Sequence, residues 1–401
     1  MAALSGRAGK AFSDRHRERC LGEPTYTGLP SDEIERRYRL VREAAARDGL
    51  DAVIVCGNEY TGFEGAVTYL SGFVIVHRYA YVLLPVDGEP SIVFPSEARY
   101  VGEHGTTWID AQEFVDRPGE RLAEKVRGRR VGVYGMDYVM TVRDHAALAG
   151  ACELVGWDVA FDHARMVKSE LELASVRESV RINTEGFWVF LDAFEPGKTE
   201  REILAPCEQY FVSQGCGRWT MDMVLDGPNG SALPEFKIAG TREIAPTDCV
   251  LPSLEVAGAG GHWVEVSRAI CPGEPSDDTK RMFEAYEEYF EAAPGALRAG
   301  SSARDAHRAV AKGFLDRGYH LGHVTGHSIG MTMIEFPKIG EADETELEAG
   351  MVLSMHPHAI SADGQACLYM QDTWLVTEDG GVPLAGLPMR IFDGTETRPE
   401  R

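Results

Sequence analysis

The 401-residue chain has no C-x-x-C pair, no long unbroken apolar run and little positive charge. Each absence excludes a class of protein. The eight cysteines, Cys20, Cys56, Cys152, Cys207, Cys216, Cys249, Cys271 and Cys367, are scattered. In a chain of this length that predicts free thiols in a reducing compartment, not a disulfide framework. A membrane helix needs about 18 consecutive apolar residues, so no span is predicted. The stretch Met1–Arg19 is polar and carries Arg7, Lys10, Arg15, Arg17 and Arg19 around no apolar centre, which is not the pattern of a secretory signal. A cytoplasmic location is the expectation. The formal net charge of −23 argues against sequence-independent binding to nucleic acid or to an anionic membrane, since both require a basic surface. The acidity reads as solubility.

Two kinds of catalytic signature are missing as well. Ser71, Ser253 and Ser267 form no Ser-His-Asp pattern. The run Gly258-Ala259-Gly260-Gly261 lacks the order of a phosphate loop and reads as a hairpin connection between two strands.

What is present is ordinary globular material, 44% hydrophobic and 26% charged, enough for two or three domains. Residues 1–30 mix Gly, Pro, Ser and charge without periodicity and are expected to form an extended arm. Residues 31–165 read as an α/β domain. Its first helix presents Ile34, Leu40, Val41 and Ala44 to Ala46 on one face. Gly49 ends that helix, and Leu50–Cys56 follows as a buried strand. Further strands are expected at Val74–His77, Ala80–Pro85, Ser91–Phe94 and Arg130–Tyr134, with a helix near Arg121–Val126. Ser169 and Glu172 form a capping-box pattern that opens the second domain, residues 166–401. Its long helices are expected near 170–194, 199–214, 275–299 and 303–317. Its strands are expected at Cys249–Val256, His262–Ile270, Met351–Met355 and Ala366–Val376. The fold class is α/β (α+β).

Several phrases, in order, carry a family resemblance. They are Tyr69-Leu70-Ser71-Gly72-Phe73, Met166–Arg177, Thr247-Asp248-Cys249-Val250, Glu265-Val266-Ser267-Arg268, Gly326-His327-Ser328-Ile329-Gly330, Gly350–Pro357 and Gln371-Asp372-Thr373. Together they resemble the creatinase, aminopeptidase P and prolidase superfamily, the pita-bread (peptidase M24-like) enzymes. The resemblance implies a creatinase-like N-terminal domain, a pita-bread catalytic domain and a homodimer. It also implies a two-metal site held by two aspartates, a histidine and two glutamates. Placed on this sequence, the first aspartate falls at Ser253, or at Leu254 if Gly258–Gly261 is not an insertion. The second falls at Glu265, and the histidine at His327. The first glutamate becomes His356 and the bridging glutamate Gln371. A second histidine followed by Glu falls at Ile334 and Glu335, and a histidine on the substrate side falls near Phe236.

Neutral Ser253 and Gln371 cannot bridge two cations, so a two-metal site is disfavoured, and with it the general dipeptide or X-Pro cleavage that the resemblance ties to the two-metal set. Glu265, His327 and His356 leave a 2-His-1-carboxylate set suited to one Fe, Zn or Mn ion, with Gln371 as a fourth, weak ligand or an outer partner. The expected catalytic residues are His327, His356 and Glu335. Phe236, Trp219, Ser253 and Gln371 are expected to bind a small polar substrate; Tyr60, Arg218 and Asp222 are candidates for the pocket, and His262 and His358 read as peripheral. The reaction would be cleavage of a C–N, C–O or C–S bond or, with iron, oxidation by O₂. Two alternatives stand beside it. One is metal-free C–N hydrolysis with His327 or His356 as acid and base. The other is a non-catalytic binding protein.

Overall fold

The computed structural model describes residues 29–58, 65–75, 78–100, 107–216 and 220–398. The chain divides into two compact units. One is Met1–Arg165 with Met331–Met333, and the other is Met166–Gly330 with Ile334–Arg401.

The first unit is built on a six-stranded sheet, β4-β3-β2-β1-β5-β6. Its strands are β1 (Ala52–Asn58), β2 (Tyr79–Pro85), β3 (Ser91–Pro95), β4 (Ala111–Val115), β5 (Arg130–Tyr134) and β6 (Glu153–Gly156). The helices are α1 (Ser31–Arg47), α2 (Gly65–Ser71), α3 (Pro118–Lys125), α4 (Val142–Ala149) and α5 (Asp158–Ala164). Strand β1 is apolar from Ala52 to Cys56 because both of its faces are covered there. Val53 and Val55 enter one core with Val82, Leu84 and Phe94. Ala52, Ile54 and Cys56 enter another with Leu83, Val131 and Val133. Alternation of side chains across the pleat divides one run between two cores. The expected strand at Val74–His77 is not formed where the chain is described: residues 72–75 are irregular, and 76–77 lie outside the described residues. Its neighbour Gly65–Ser71 is helical instead, and every residue of that helix is buried.

The second unit carries α6 (Glu170–Ala193), α7 (Glu200–Ser213), α8 (Asp277–Ala296) and α9 (Ala303–Asp316). Ser169 caps α6 with both hydrogen bonds of a capping box. Three sheets accompany these helices. The first is β7 (Thr220–Gly227), β8 (Cys249–Ala257) and β9 (Trp263–Val266). The second runs β10-β14-β15, with β10 (His320–Leu321), β14 (His358–Ile360) and β15 (Cys367–Tyr369). The third runs β12-β11-β13-β16-β17, with β11 (Gly326–Ser328), β12 (Glu335–Ile339), β13 (Val352–Met355), β16 (Asp372–Val376) and β17 (Gly381–Pro383).

Two expected strands are broken, and the breaks position the site. Ala366–Val376 divides into β15 and β16. Between them Met370 donates its N–H to Tyr286 Oη at 2.9 Å, and Gln371 pairs with Ser267 on the far side of β9. The chain thereby passes from one sheet to another. The same passage occurs at His356-Pro357, between β13 and β14. His262–Ile270 is likewise shorter than expected as a strand, ending at Val266, with Ser267 given over to Gln371. His356 and Gln371 thus stand where the backbone changes sheets.

Helix α6 fixes the β8–β9 hairpin. Ser175, Ser179 and Asn183 recur every four residues and so share one helix face. Asn183 Nδ2 donates to the carbonyls of Leu254 and Val264. Ser179 Oγ accepts from Gly258 N, and Ser175 Oγ meets His262 Nδ1 at 2.9 Å. A Cβ on Gly260 would stand 1.8 Å from Ser175 Oγ, so only glycine lets the hairpin tip approach this helix.

Candidate metal centre

Glu265 on β9, His327 on β11 and His356 after β13 bring one potential ligand atom each to within 4.8 Å of one another. All three are buried, between 2% and 5% exposed. His327 Nε2 is 3.3 Å from Glu265 Oε1, and His356 Nε2 is 3.9 Å from Glu265 Oε2. His327 Nδ1 is 2.9 Å from the Ser328 carbonyl, which places its proton there and leaves Nε2 as a lone-pair donor. A Cβ on Gly326 would lie 2.4 Å from Ser354 O. The glycine before His327 is therefore what allows β11 to lie against β13.

The charges are set by the surroundings. Burial works against ionisation of Glu265, but His327, then His356 and the Ser354 hydroxyl, outweigh it and hold the carboxyl down to about 2. Ser354 Oγ donates to Glu265 Oε2 at 2.6 Å. Burial lowers His356 to about 3 against the opposing pull of Glu265, and His356 Nδ1 is buried with no hydrogen-bond partner among the described residues. A charged carboxylate and a neutral imidazole are the forms that bind cations. The donor set fits one divalent ion.

Glu255, absent from the expected site, faces Glu265 directly across the hairpin. Ser253, two residues earlier on the same face of β8, donates from Oγ to Glu255 Oε1 at 2.9 Å and lies 3.1 Å from Gln371 Oε1. Ser253, expected on the substrate side, is completely buried and makes these contacts. Burial first, then the charge of Glu265, push the Glu255 carboxyl well above the ordinary range. Two facing carboxyls that share a site divide in this way.

Gln371 departs from the expected ligand role. Its Nε2 reaches Glu265 Oε2 at 2.8 Å, Glu255 Oε1 at 3.1 Å and Tyr369 Oη at 3.1 Å. Turned over, its carbonyl oxygen would face two carboxyl groups, so the network fixes the N–H groups towards them. An amide N–H donates and does not coordinate a cation.

Glu335 also stands apart from the cluster. Its carboxylate accepts from Lys168 Nζ at 2.9 Å in a fully buried ion pair. Ile334 is 39% exposed. Phe236 packs its ring against Tyr369 at 4.8 Å and His358 at 5.2 Å; Tyr369 in turn lies 5.7 Å from the His356 ring. Phe236 is thus one ring removed from the cluster. His358, expected to be peripheral, is buried, its Nε2 has no partner among the described residues, and burial lowers its pKa to about 4. Asp222 sits opposite Leu254 on β7, on the other face of the sheet from Ser253 and Glu255. Tyr60, Arg218 and Trp219 lie outside the described residues.

Comparison with known proteins assigns the family. Residues 174–378 match the model of metallopeptidase family M24, and residues 36–167 match the creatinase/prolidase N-terminal domain. The chain belongs to metallopeptidase family M24, within the creatinase, aminopeptidase P and prolidase superfamily, and has its pita-bread fold. An Xaa-Pro dipeptidase of Pyrococcus horikoshii is 22% identical over 353 residues, covering 87% of this chain and 96% of the relative. An Xaa-Pro dipeptidase of Lactobacillus delbrueckii subsp. lactis is 26% identical, covering 81% and 91%. Among solved structures, dipeptidase PepE of Mycobacterium ulcerans superposes with a TM-score of 0.77 at 22% identity, covering 91% of this chain and 98% of that one. The prolidase of Pyrococcus horikoshii gives 0.75 at 21%, covering 88% and 98%. These structural likenesses carry the fold alone. Among the described residues no helix is long and apolar enough to cross a membrane.

Proposed function

We propose that the chain is a metal-dependent hydrolase of a C–N bond in a small, peptide-like substrate, with one divalent ion held by Glu265, His327 and His356. The observation that carries this reading is the convergence of those three ligand atoms within 4.8 Å. The family is one of metallopeptidases, and relatives of this length are named Xaa-Pro dipeptidases. Those names favour amide hydrolysis over the expected oxidation by O₂, metal-free hydrolysis or pure binding. They also outweigh the reading that peptide cleavage requires the complete two-metal set. A bound divalent ion polarises a carbonyl and makes water a nucleophile near neutral pH.

The protein's own part is to hold donors and protons. Glu265 supplies the anionic oxygen, and Ser354 and Gln371 steady it. Beside them, burial and the charge of Glu265 push the Glu255 carboxyl well above the ordinary carboxylate range. The rings of Phe236, His358 and Tyr369 give a wall with little charge, suited to an apolar or cyclic group. A homodimer and a cytoplasmic location are part of the same proposal.

The test is hydrolysis of a panel of dipeptides and N-acyl amino acids, with Mn²⁺, Zn²⁺ or Fe²⁺ added to chelator-treated protein. Metal-dependent turnover of at least one amide, lost in His327→Ala, is expected. Turnover that chelation leaves intact would remove the reading.

A further inference from the structure

We infer that Tyr286 is a positioning residue of this centre: its hydroxyl is set into the backbone ladder beside His356 and holds that ladder open where His356 and Gln371 turn to Glu265. The inference rests on the reading of Glu265, His327 and His356 as metal-holding residues. Strands β13 and β16 pair Met355 with Asp372, and β14 and β15 pair His358 with Tyr369. The two ladders share one register. They are a single antiparallel hairpin interrupted between those pairs, where His356 faces Gln371 and Pro357 faces Met370. At the first of these rungs both backbones pair outwards. His356 N–H donates to the Thr325 carbonyl at 2.8 Å, and Gln371 exchanges bonds with Ser267 at 3.1 and 3.3 Å.

The second rung is a place for a direct bond. Val376 N–H donates to the Met351 carbonyl and Ser361 N–H to the Ala366 carbonyl, each at 2.9 Å. Bonded pairs recur at every second rung of an antiparallel ladder. Counting from either end makes Met370 N–H the donor here and the Pro357 carbonyl the acceptor. Proline has no N–H to return. The Tyr286 hydroxyl stands in the gap instead. It accepts the Met370 N–H at 2.9 Å and donates to the Pro357 carbonyl; the Met370 carbonyl is farther off, at 3.5 Å. Among the described residues neither the Met370 N–H nor the Pro357 carbonyl has another hydrogen-bond partner. Tyr286 comes from α8, is fully buried and meets Phe314 edge-on, with ring centroids 5.0 Å apart. A tyrosine hydroxyl keeps its proton at neutral pH, and burial pushes this one's pKa further up. An oxygen inserted in a rung keeps two strands farther apart than a direct N–H···O=C bond would. Here it does so one residue from His356 on one strand and one residue from Gln371 on the other. Removing it leaves a buried N–H and a buried C=O unpaired, or draws the strands together until they pair. Either change moves His356 relative to Glu265.

Tyr286→Phe removes that oxygen and keeps the ring. Tyr289→Phe is the control, because Tyr289 lies one turn further along α8 and its buried Oη has no hydrogen-bond partner among the described residues. Cobalt(II) is the probe for the full chain, since its visible spectrum reports coordination geometry. Groups behind the ligands of a metal site change affinity by about 10–100-fold, so Tyr286→Phe should weaken Co²⁺ binding on that scale and alter the visible bands, while Tyr289→Phe should stay within about threefold of wild type with an unchanged spectrum. Tyr286→Phe binding cobalt as wild type does overturns the inference, and so does an equal loss in Tyr289→Phe. A second measurement needs no metal. In protein labelled with ¹⁵N-histidine, the ring signals of His356, assigned by their absence from His356→Gln, should move in Tyr286→Phe and stay in place in Tyr289→Phe. Any other pattern overturns the inference. Failure of Tyr286→Phe alone to fold would show the hydroxyl serving the fold at large, and overturns it too. If wild-type protein takes up no cobalt, the proposed metal site fails, and the histidine signals still decide whether the Tyr286 hydroxyl places His356.

Discussion

The sheet of the first unit and the β8–β9 region of the second bury different things. The sheet of the first unit buries apolar side chains on both faces, as in β1, where alternate residues feed separate cores. The β8–β9 hairpin and the strand ends near it bury Ser253, Glu255, Glu265, His327, Ser354, His356 and Gln371. Removing seven polar side chains from water is unfavourable unless they satisfy one another or a ligand. The first unit's sheet is explained by packing. The second unit's polar cluster is explained only in part by its own hydrogen bonds, and among the described residues His356 Nδ1 is what remains over. That difference supports the proposed placement of the metal site in the second unit.

The contrast can be broken at several points. The largest effect on folding is expected at the buried pair of Arg268 and Asp372, 2.7 Å apart. Asp372→Ala leaves a buried guanidinium without its carboxylate and should lower stability by about 3–5 kcal/mol, measured by urea unfolding. In the first unit, Leu84→Ala removes an apolar core group and should lower stability by about 2–5 kcal/mol through lost burial and a cavity. Metal uptake by the folded Leu84→Ala protein should be unchanged. A loss of uptake there would mean that the two units do not divide labour as described.

A smaller effect sharpens the comparison by pH. Burial keeps His358 neutral down to about 4, whereas an unfolded histidine takes a proton near 6.5, so between these values the unfolded state binds more protons. Stability should therefore fall as pH drops through that window, by about 2 kcal/mol from this residue. Urea midpoints at pH 7 and pH 5 should differ less in His358→Gln than in wild type. An equal difference in both proteins would contradict the account.

Much of this arrangement was legible in the sequence, and the exceptions have physical reasons. The apolar run at Leu50–Cys56 and the capping box at Ser169 announce local structure, because each depends on neighbours a few residues away. The glycine-flanked His327 and the phrases around Glu265 and His356 drew attention to three residues whose side chains lie together. Glu255 lies outside the expected site because the resemblance places the first aspartate at Ser253 or Leu254. The hairpin loop takes in His262 as well as Gly258–Gly261, pairing Ala257 with Trp263 and so Glu255 with Glu265; a loop of the four residues 258–261 would set 255 opposite 264, and Ser253 shares the face of Glu255 by alternation. The role of Gln371 was not legible, since the sense of an amide depends on partners 106 and 116 residues away. Glu335 could not be read either, because Lys168, the group that occupies it, lies 167 residues earlier. The break at Met370 depends on the hydroxyl of Tyr286, 84 residues away, and no local pattern encodes it.

The central claim is that Glu265, His327 and His356 hold one metal ion. It is tested most directly by elemental analysis of protein purified without chelator, beside His327→Ala and His356→Ala prepared in the same way. The account predicts about one divalent ion per wild-type chain and loss of it in both variants, since each removes one of only three ligands. An equal metal content in all three proteins, or none in wild type after anaerobic addition of Fe²⁺, Mn²⁺ and Zn²⁺, would contradict it.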